Sequence, residues 1–219
     1  MKINSGLTAA LSLVAVTASV LFYRLVNPSF AFAAAGDVGS GSSSPSADGA
    51  STPPPSGVAT QWNDLIAQAA KAAGIDPILL KAICATETGF RADAINPEKD
   101  FTLNGVSYGQ YDTHGQRLLV AWIKDGNDPA SIGLNPSCGI AQVRVGNAKK
   151  YIQGLDALDL FDPATCLQAA AFLIADDGTT VETADMYNVG HGSNWARGVR
   201  NAPYQAKVAD FYSRFAGDF

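Results

Sequence analysis

Glu87 lies seven residues after Leu80, four after Ile83 and three after Cys84. In an α-helix those offsets put all four side chains on one face, so a carboxylate projects from an apolar stripe. Apolar surroundings disfavour the charged form of a carboxyl and push its pKa up. A carboxyl that still holds its proton at neutral pH can give it away, which is the chemistry of a general acid. The helix that would carry Glu87 starts at Asp76-Pro77, a side-chain cap followed by a first-turn proline. Against this, Thr88-Gly89 is a helix-stop signal, and a glutamate at a helix end is ordinarily solvated. The rest of the chain has to decide.

The chain has 219 residues, a net charge of −5 and 16% charged residues. It carries no Lys/Arg cluster, which argues against a nucleic-acid partner. His114, His191 and the three cysteines show no zinc-ligand spacing, so no metal and no cofactor is expected. Cys84 falls on the apolar helix face and reads as a core residue. Cys138 and Cys166 are candidates for a disulfide that sequence alone does not establish.

Three segments follow from composition. Residues 1–35 hold an uncharged apolar run from Gly6 to Tyr23, preceded by Lys2 and followed by Arg24. That run suits an uncleaved membrane anchor, the preferred reading, or a secretory signal cut near Ala31-Phe32-Ala33. Either way the remainder is expected to be exported. Residues 36–59 are rich in Gly, Ser and Pro and read as a linker, stiffened at Pro53-Pro54-Pro55. The folded domain is expected over 60–219.

That domain reads as mainly α. Helices are expected over 61–73, 77–87, 117–124, 138–150, 164–176 and 181–187, with a last one opened by Pro203. Asp162-Pro163 repeats the cap-plus-proline start. Asn104-Gly105 between short apolar runs predicts a small β-hairpin within 101–111.

Three motifs stand in order: Glu87-Thr88-Gly89-Phe90 with Ile95-Asn96-Pro97 behind it, then Ser137-Cys138-Gly139-Ile140-Ala141-Gln142-Val143, then Tyr187-Asn188-Val189-Gly190. Together, with Asp162-Pro163 between the second and third, they resemble the lytic transglycosylase domain of the soluble type, over roughly residues 60–215. The resemblance implies a goose-type, lysozyme-like helical fold. Thr88 stands where the family pattern has Ser, and Ala141 where it has Met. More residues separate Phe90 from Gly139 than in compact members, which predicts an elaborated lobe over the cleft. Ser107-Tyr108-Gly109-Gln110 mimics the second motif, but its Gln follows the Gly directly, so it reads as a decoy.

The resemblance implies that Glu87 protonates the glycosidic oxygen between N-acetylmuramic acid and N-acetylglucosamine in peptidoglycan. Glu87 then acts as base toward the C6 hydroxyl of the muramoyl residue, leaving a 1,6-anhydromuramoyl end. It further implies that Tyr187 hydrogen-bonds near Glu87, and that Ser137, Gln142 and Asn188 contact the sugar or brace the motifs. Gly139 would admit close backbone approach to the glycan. A hydrolytic muramidase would need a second carboxylate about 5 Å or about 6.5–9.5 Å away. Asp93, Asp100 and Asp112 are the candidates weighed, and each reads better as a turn cap or a solvated group. His191 and Trp195 could touch glycan, whereas Trp122 suits the core. The partners implied are peptidoglycan strands and, through the N-terminal helix, a membrane. The setting would be a secretion or conjugation apparatus or a virion. A catalytically inactive glycan-binding scaffold is the competing class.

Overall fold

The computed structural model describes residues 60–190 and 194–219. The N-terminal segment, the linker and His191 lie outside the described residues. No helix of the described residues is long and apolar enough to cross a membrane.

Helix α1 spans Asn63–Ala73 and ends at Gly74. Helix α2 spans Pro77–Thr88. The Asp76 carboxylate accepts the Ile78 N–H at 2.9 Å, and Pro77 fills the first turn, as the cap signal predicts. Every residue from Leu79 to Ala85 is buried, so α2 is enclosed rather than amphipathic. That run includes Lys81, whose side chain is wholly inaccessible. A buried ammonium needs compensation. Lys81 Nζ donates to Asn63 Oδ1 at 2.6 Å, pairs with the Asp218 carboxylate and lies 4.7 Å from the centre of the Phe215 ring.

Three small strand pieces follow, all within the segment between Phe90 and Gly139. Strand β1 is Ile95–Asn96, and β2 (Phe101–Leu103) pairs with β3 (Val106–Tyr108) in the hairpin that Asn104-Gly105 predicts. Helix α3 spans Thr113–Lys124, starting four residues earlier than expected because the Asp112 carboxylate accepts the N–H groups of His114 and Gly115. Trp122 packs on the core, as expected.

The helix expected over 138–150 is corrected by the structure. Ser137–Cys138 is strand β4 and Val143–Arg144 is strand β5, and only Val145–Ala148 (α4) is helical. β4 lies between β1 and β5 in an antiparallel sheet, with Asn96 opposite Ser137 and Ser137 opposite Arg144. Gly139 (φ 76°) and Gln142 (φ 51°) both sit in the left-handed region, which a helix interior does not tolerate, and they turn the chain back on itself. The apolar run that suggested a helix is instead the buried side of a tight hairpin.

Helix α5 (Pro163–Asp177) is capped by Asp162, whose carboxylate accepts the Thr165 N–H. Short α6 spans Asp185–Val189, and α7 spans Ala202–Arg214 with Asn201 as its cap. α1 packs against α5 and α2 against α7, and α2 also touches α1 and α5. Apolar burial over these faces is the main favourable contribution to the fold. The expected mainly α architecture holds, with the small sheet as an addition. Cys84, Cys138 and Cys166 are all buried free thiols, and the Cys166 thiol donates to the Cys138 carbonyl at 3.5 Å.

Candidate active site

The C-terminal end of α2 presents Glu87 to a groove of about 590 Å³. The enclosed body of the helix fixes this end, because α2 cannot rotate or slide without disturbing packing on several sides. The last turn is tied down as well. Thr88 Oγ1 donates to the Ile140 carbonyl at 2.7 Å, joining the first motif to the second. Thr88→Val should strand that buried carbonyl and lower stability by about 1–2 kcal/mol. Thr88→Ser should keep the bond, and urea midpoints of the two variants of the full chain compare them directly.

Burial raises the Glu87 carboxyl to a pKa of about 7, the neighbouring Glu98 charge adds to the rise, and a hydrogen bond from Tyr204 works against both. Tyr204 Oη donates to Glu87 Oε1 at 2.7 Å. The hydrogen bond that orients Glu87, expected from Tyr187 nearby, is thus made by Tyr204. Tyr187 Oη donates to the Ala141 carbonyl at 2.8 Å. Tyr187 stays close enough for the Glu87 charge to help raise its own pKa, after the larger effect of burial. Sequence reasoning passed over Tyr204. Its signal was a phenol on the same face of α7 as Val208 and Phe211, where a hydroxyl must find a partner.

Tyr204→Phe should shift the pH profile in a direction that can be worked out. The hydrogen bond favours the charged carboxylate, so its loss raises the Glu87 pKa above about 7. The alkaline limb of activity should move to higher pH. The plateau rate should fall roughly tenfold as the carboxyl loses its orientation. A pH–rate profile of the variant checks both.

Ser137, Gln142, Tyr187 and Asn188 all line the groove with Glu87. Gln142 commits its side-chain N–H groups to the Ala94 and Gly139 carbonyls, each at 3.1 Å, which leaves its amide oxygen for a ligand. Asn188 Oδ1 accepts from Asn201 Nδ2 at 2.8 Å, which leaves the Asn188 amide N–H groups. Gly139 is the exception and a second correction: it is buried and away from the groove. A Cβ there would overlap the Leu160 carbonyl oxygen and come within 2.8 Å of Cys166 Sγ. Close approach is indeed what the glycine permits, but to the domain's own interior. Ala141 is likewise buried, so it forms no groove wall.

Glu98 is a groove residue that sequence reasoning did not weigh. It follows the Asn96-Pro97 pair directly and has φ 70°, unusual for a side chain with a Cβ. Asn96 Oδ1 holds its backbone N–H at 3.0 Å. Ser137 Oγ donates to Glu98 Oε1 and Arg144 Nη2 to Oε2, each at 2.5 Å. The β1–β4–β5 register brings these residues together. Asp177, at the end of α5, lines the groove too. Asp100 and Asp112 accept backbone N–H groups, as turn caps do, and Asp93 is exposed. The decoy Gln110 donates to Asn96 Oδ1 and stays outside the groove lining. Trp195 is not an open stacking platform, since the Arg200 guanidinium lies 3.9 Å from its ring centre.

A largely helical domain that holds a carboxyl of raised pKa at the wall of a polar groove has the parts that acid-catalysed glycan cleavage requires. The family model described as Transglycosylase SLT domain matches residues 64–207, and the chain belongs to that family. The family is one of lytic transglycosylases that act on peptidoglycan. No curated protein and no solved structure matches the chain.

Proposed function

We propose that the domain is a peptidoglycan lytic transglycosylase that cleaves the β-1,4 bond between N-acetylmuramic acid and N-acetylglucosamine. The observation that carries the reading is the Glu87 carboxyl at the wall of a polar groove, its pKa raised to about 7 by burial and its Oε1 held by the Tyr204 hydroxyl. Glu87 donates that proton to the glycosidic oxygen as the bond breaks. The resulting carboxylate takes the proton of the muramoyl C6 hydroxyl, whose oxygen closes on the anomeric carbon. The product carries a 1,6-anhydro end, no water is consumed, and Glu87 is protonated again. Tyr204 orients the carboxyl through both steps. Gln142, Tyr187 and Asn188 hold the strand.

Hydrolysis by a muramidase is the second reading, because Glu98 and Asp177 share the groove with Glu87. The ties on Glu98 favour the first reading: both of its oxygens already have partners, so it is poorly placed to activate water. Digestion of purified cell walls in ¹⁸O-labelled water separates the two. The transglycosylase reading expects no label at the new ends, and labelled reducing ends would establish the muramidase.

The same reading extends to the whole chain. Residues 1–35 carry domain 60–219 out of the cytoplasm, retained as an anchor or removed as a signal, and the 36–59 tether lets it sample the wall beyond the membrane. Local opening of the wall for a secretion or conjugation apparatus, or for a virion, suits that arrangement.

A further inference from the structure

Asn201 does not line the groove, yet it joins the two elements that supply Asn188 and Tyr204. Asp185 and Asn188 stand three residues apart on α6, about one helical turn, and Asn201 engages both. The Asn201 backbone N–H donates to the Asp185 carboxylate at 3.2 Å. The Trp195 indole N–H donates to the other oxygen of that carboxylate, also at 3.2 Å. Asp185 is 2% exposed, and a carboxylate taken out of water is costly to strip of its donors. Asn201 is therefore held in place by its backbone before its side chain makes any contact.

From that position the two ends of the Asn201 amide are not interchangeable. A backbone N–H can only donate, and the Tyr204 N–H meets the Asn201 side chain at 3.2 Å. The end that receives it must be the oxygen, which makes Asn201 the cap of α7. The NH₂ end is thereby turned to Asn188 and donates to it at 2.8 Å. The Asn188 end that accepts must in turn be its oxygen, so its amide offers the groove N–H groups. One backbone N–H of α7 thus sets, through two amides, the polarity that a groove residue shows to a ligand. A hydroxyl could bond to either end of an amide, so a locked polarity matters only for a group that solely accepts.

We infer that Asn201 is a positioning residue for glycan binding: it locks the Asn188 amide so that its N–H groups take an acceptor-only oxygen of the strand, the acetamido carbonyl of an N-acetylated sugar. This rests on the transglycosylase reading of the same groove. Asn201 touches Asn188, and Asn188 touches the sugar.

The test measures kcat and KM of the full chain on purified strands. Asn201→Asp and Asn201→Ser both keep an oxygen to cap α7, so both should melt close to wild type. Aspartate has no N–H for Asn188. The Asn188 amide should then turn its NH₂ to the new carboxylate and show the strand its oxygen. KM should rise about tenfold, the size of a hydrogen bond replaced by two opposed acceptors. kcat should hold within about twofold, because Glu87 and Tyr204 are untouched and only uniform binding is lost. Serine adds no charge and frees the Asn188 amide without reversing it, so KM should rise less, about threefold. In an Asn188→Ala background neither substitution should move KM further. The same KM loss in both backgrounds, or a fall in kcat with KM unchanged, would overturn the proposal.

NMR of the full chain with ¹⁵N-labelled asparagine reads binding without cleavage, using a soluble oligomer of N-acetylglucosamine as the probe. The oligomer should shift the Asn188 side-chain N–H signals in wild type and leave them in place in Asn201→Asp. Signals that stay in place in wild type, or shift equally in both, would overturn the proposal. Failure of wild type to cleave strands, with the shift present in wild type and lost in the variant, would count against the transglycosylase reading and leave this role of Asn201 standing.

Discussion

Glu87→Gln should abolish cell-wall clearing by the full chain, with a loss of at least about a thousandfold, within the range that a positioned general acid supplies. The glutamine keeps the shape of the side chain and can still accept the Tyr204 hydroxyl, but it has no proton to give. The fold should survive, and its pH behaviour gives an internal control. In the native chain the Glu87 pKa is raised from 4.5 to about 7. The folded state therefore holds a proton that the unfolded state releases between those values. Stability linked to this group is present below pH 4.5 and is lost as pH rises through about 7. Glu87→Gln removes that loss, so at pH 8 the variant should melt no lower than wild type. Zymograms with melting curves read both effects. Equal binding to cell walls by wild type and variant, with clearing by neither, would instead make the protein an inactive scaffold.

Gly139→Ala should cost about 3 kcal/mol or more, because two penalties fall on one residue. The backbone at φ 76° is strained for any residue with a Cβ. The added methyl would also be driven into the Leu160 carbonyl and Cys166 sulfur, a buried wall with no room to yield. The melting temperature should fall by roughly 6–12 °C. Gly105→Ala is the matched comparison, since φ is 80° but no atom lies within 4 Å of the new carbon. It should cost only about 1–2 kcal/mol, the conformational part alone. Similar losses in the two variants would show that packing behind the second motif is looser than described.

The elements that sequence announces are those with local chemistry. Asp76-Pro77 and Asp162-Pro163 mark the starts of α2 and α5 because cap and proline act within one turn. Asn104-Gly105 marks the hairpin for the same reason. Glu87 was legible because its offset from Leu80, Ile83 and Cys84 is a property of the helix itself. The β1–β4–β5 sheet was not legible: two-residue strands carry no alternation, and their apolar run satisfies a helical reading equally well. The residue that decides the matter, Gln142 in a left-handed conformation, is of a type that seldom adopts it. Tyr204 and Glu98 were missed for a different reason. Tyr204 meets Glu87 across 117 positions through the packing of α7 on α2. Glu98 meets Ser137 and Arg144 through strand pairing between distant segments. Neither partnership exists before the chain has folded, so neither leaves a local pattern.

The most direct measurement is a titration of Glu87 itself, by NMR of the full chain carrying ¹³C-labelled glutamate, with Glu87→Gln assigning the resonance. A carboxyl midpoint of about 7 is expected in the absence of substrate. A midpoint in the ordinary glutamate range near 4.3 would leave the groove without a proton donor at neutral pH and would contradict the role of Glu87 as general acid.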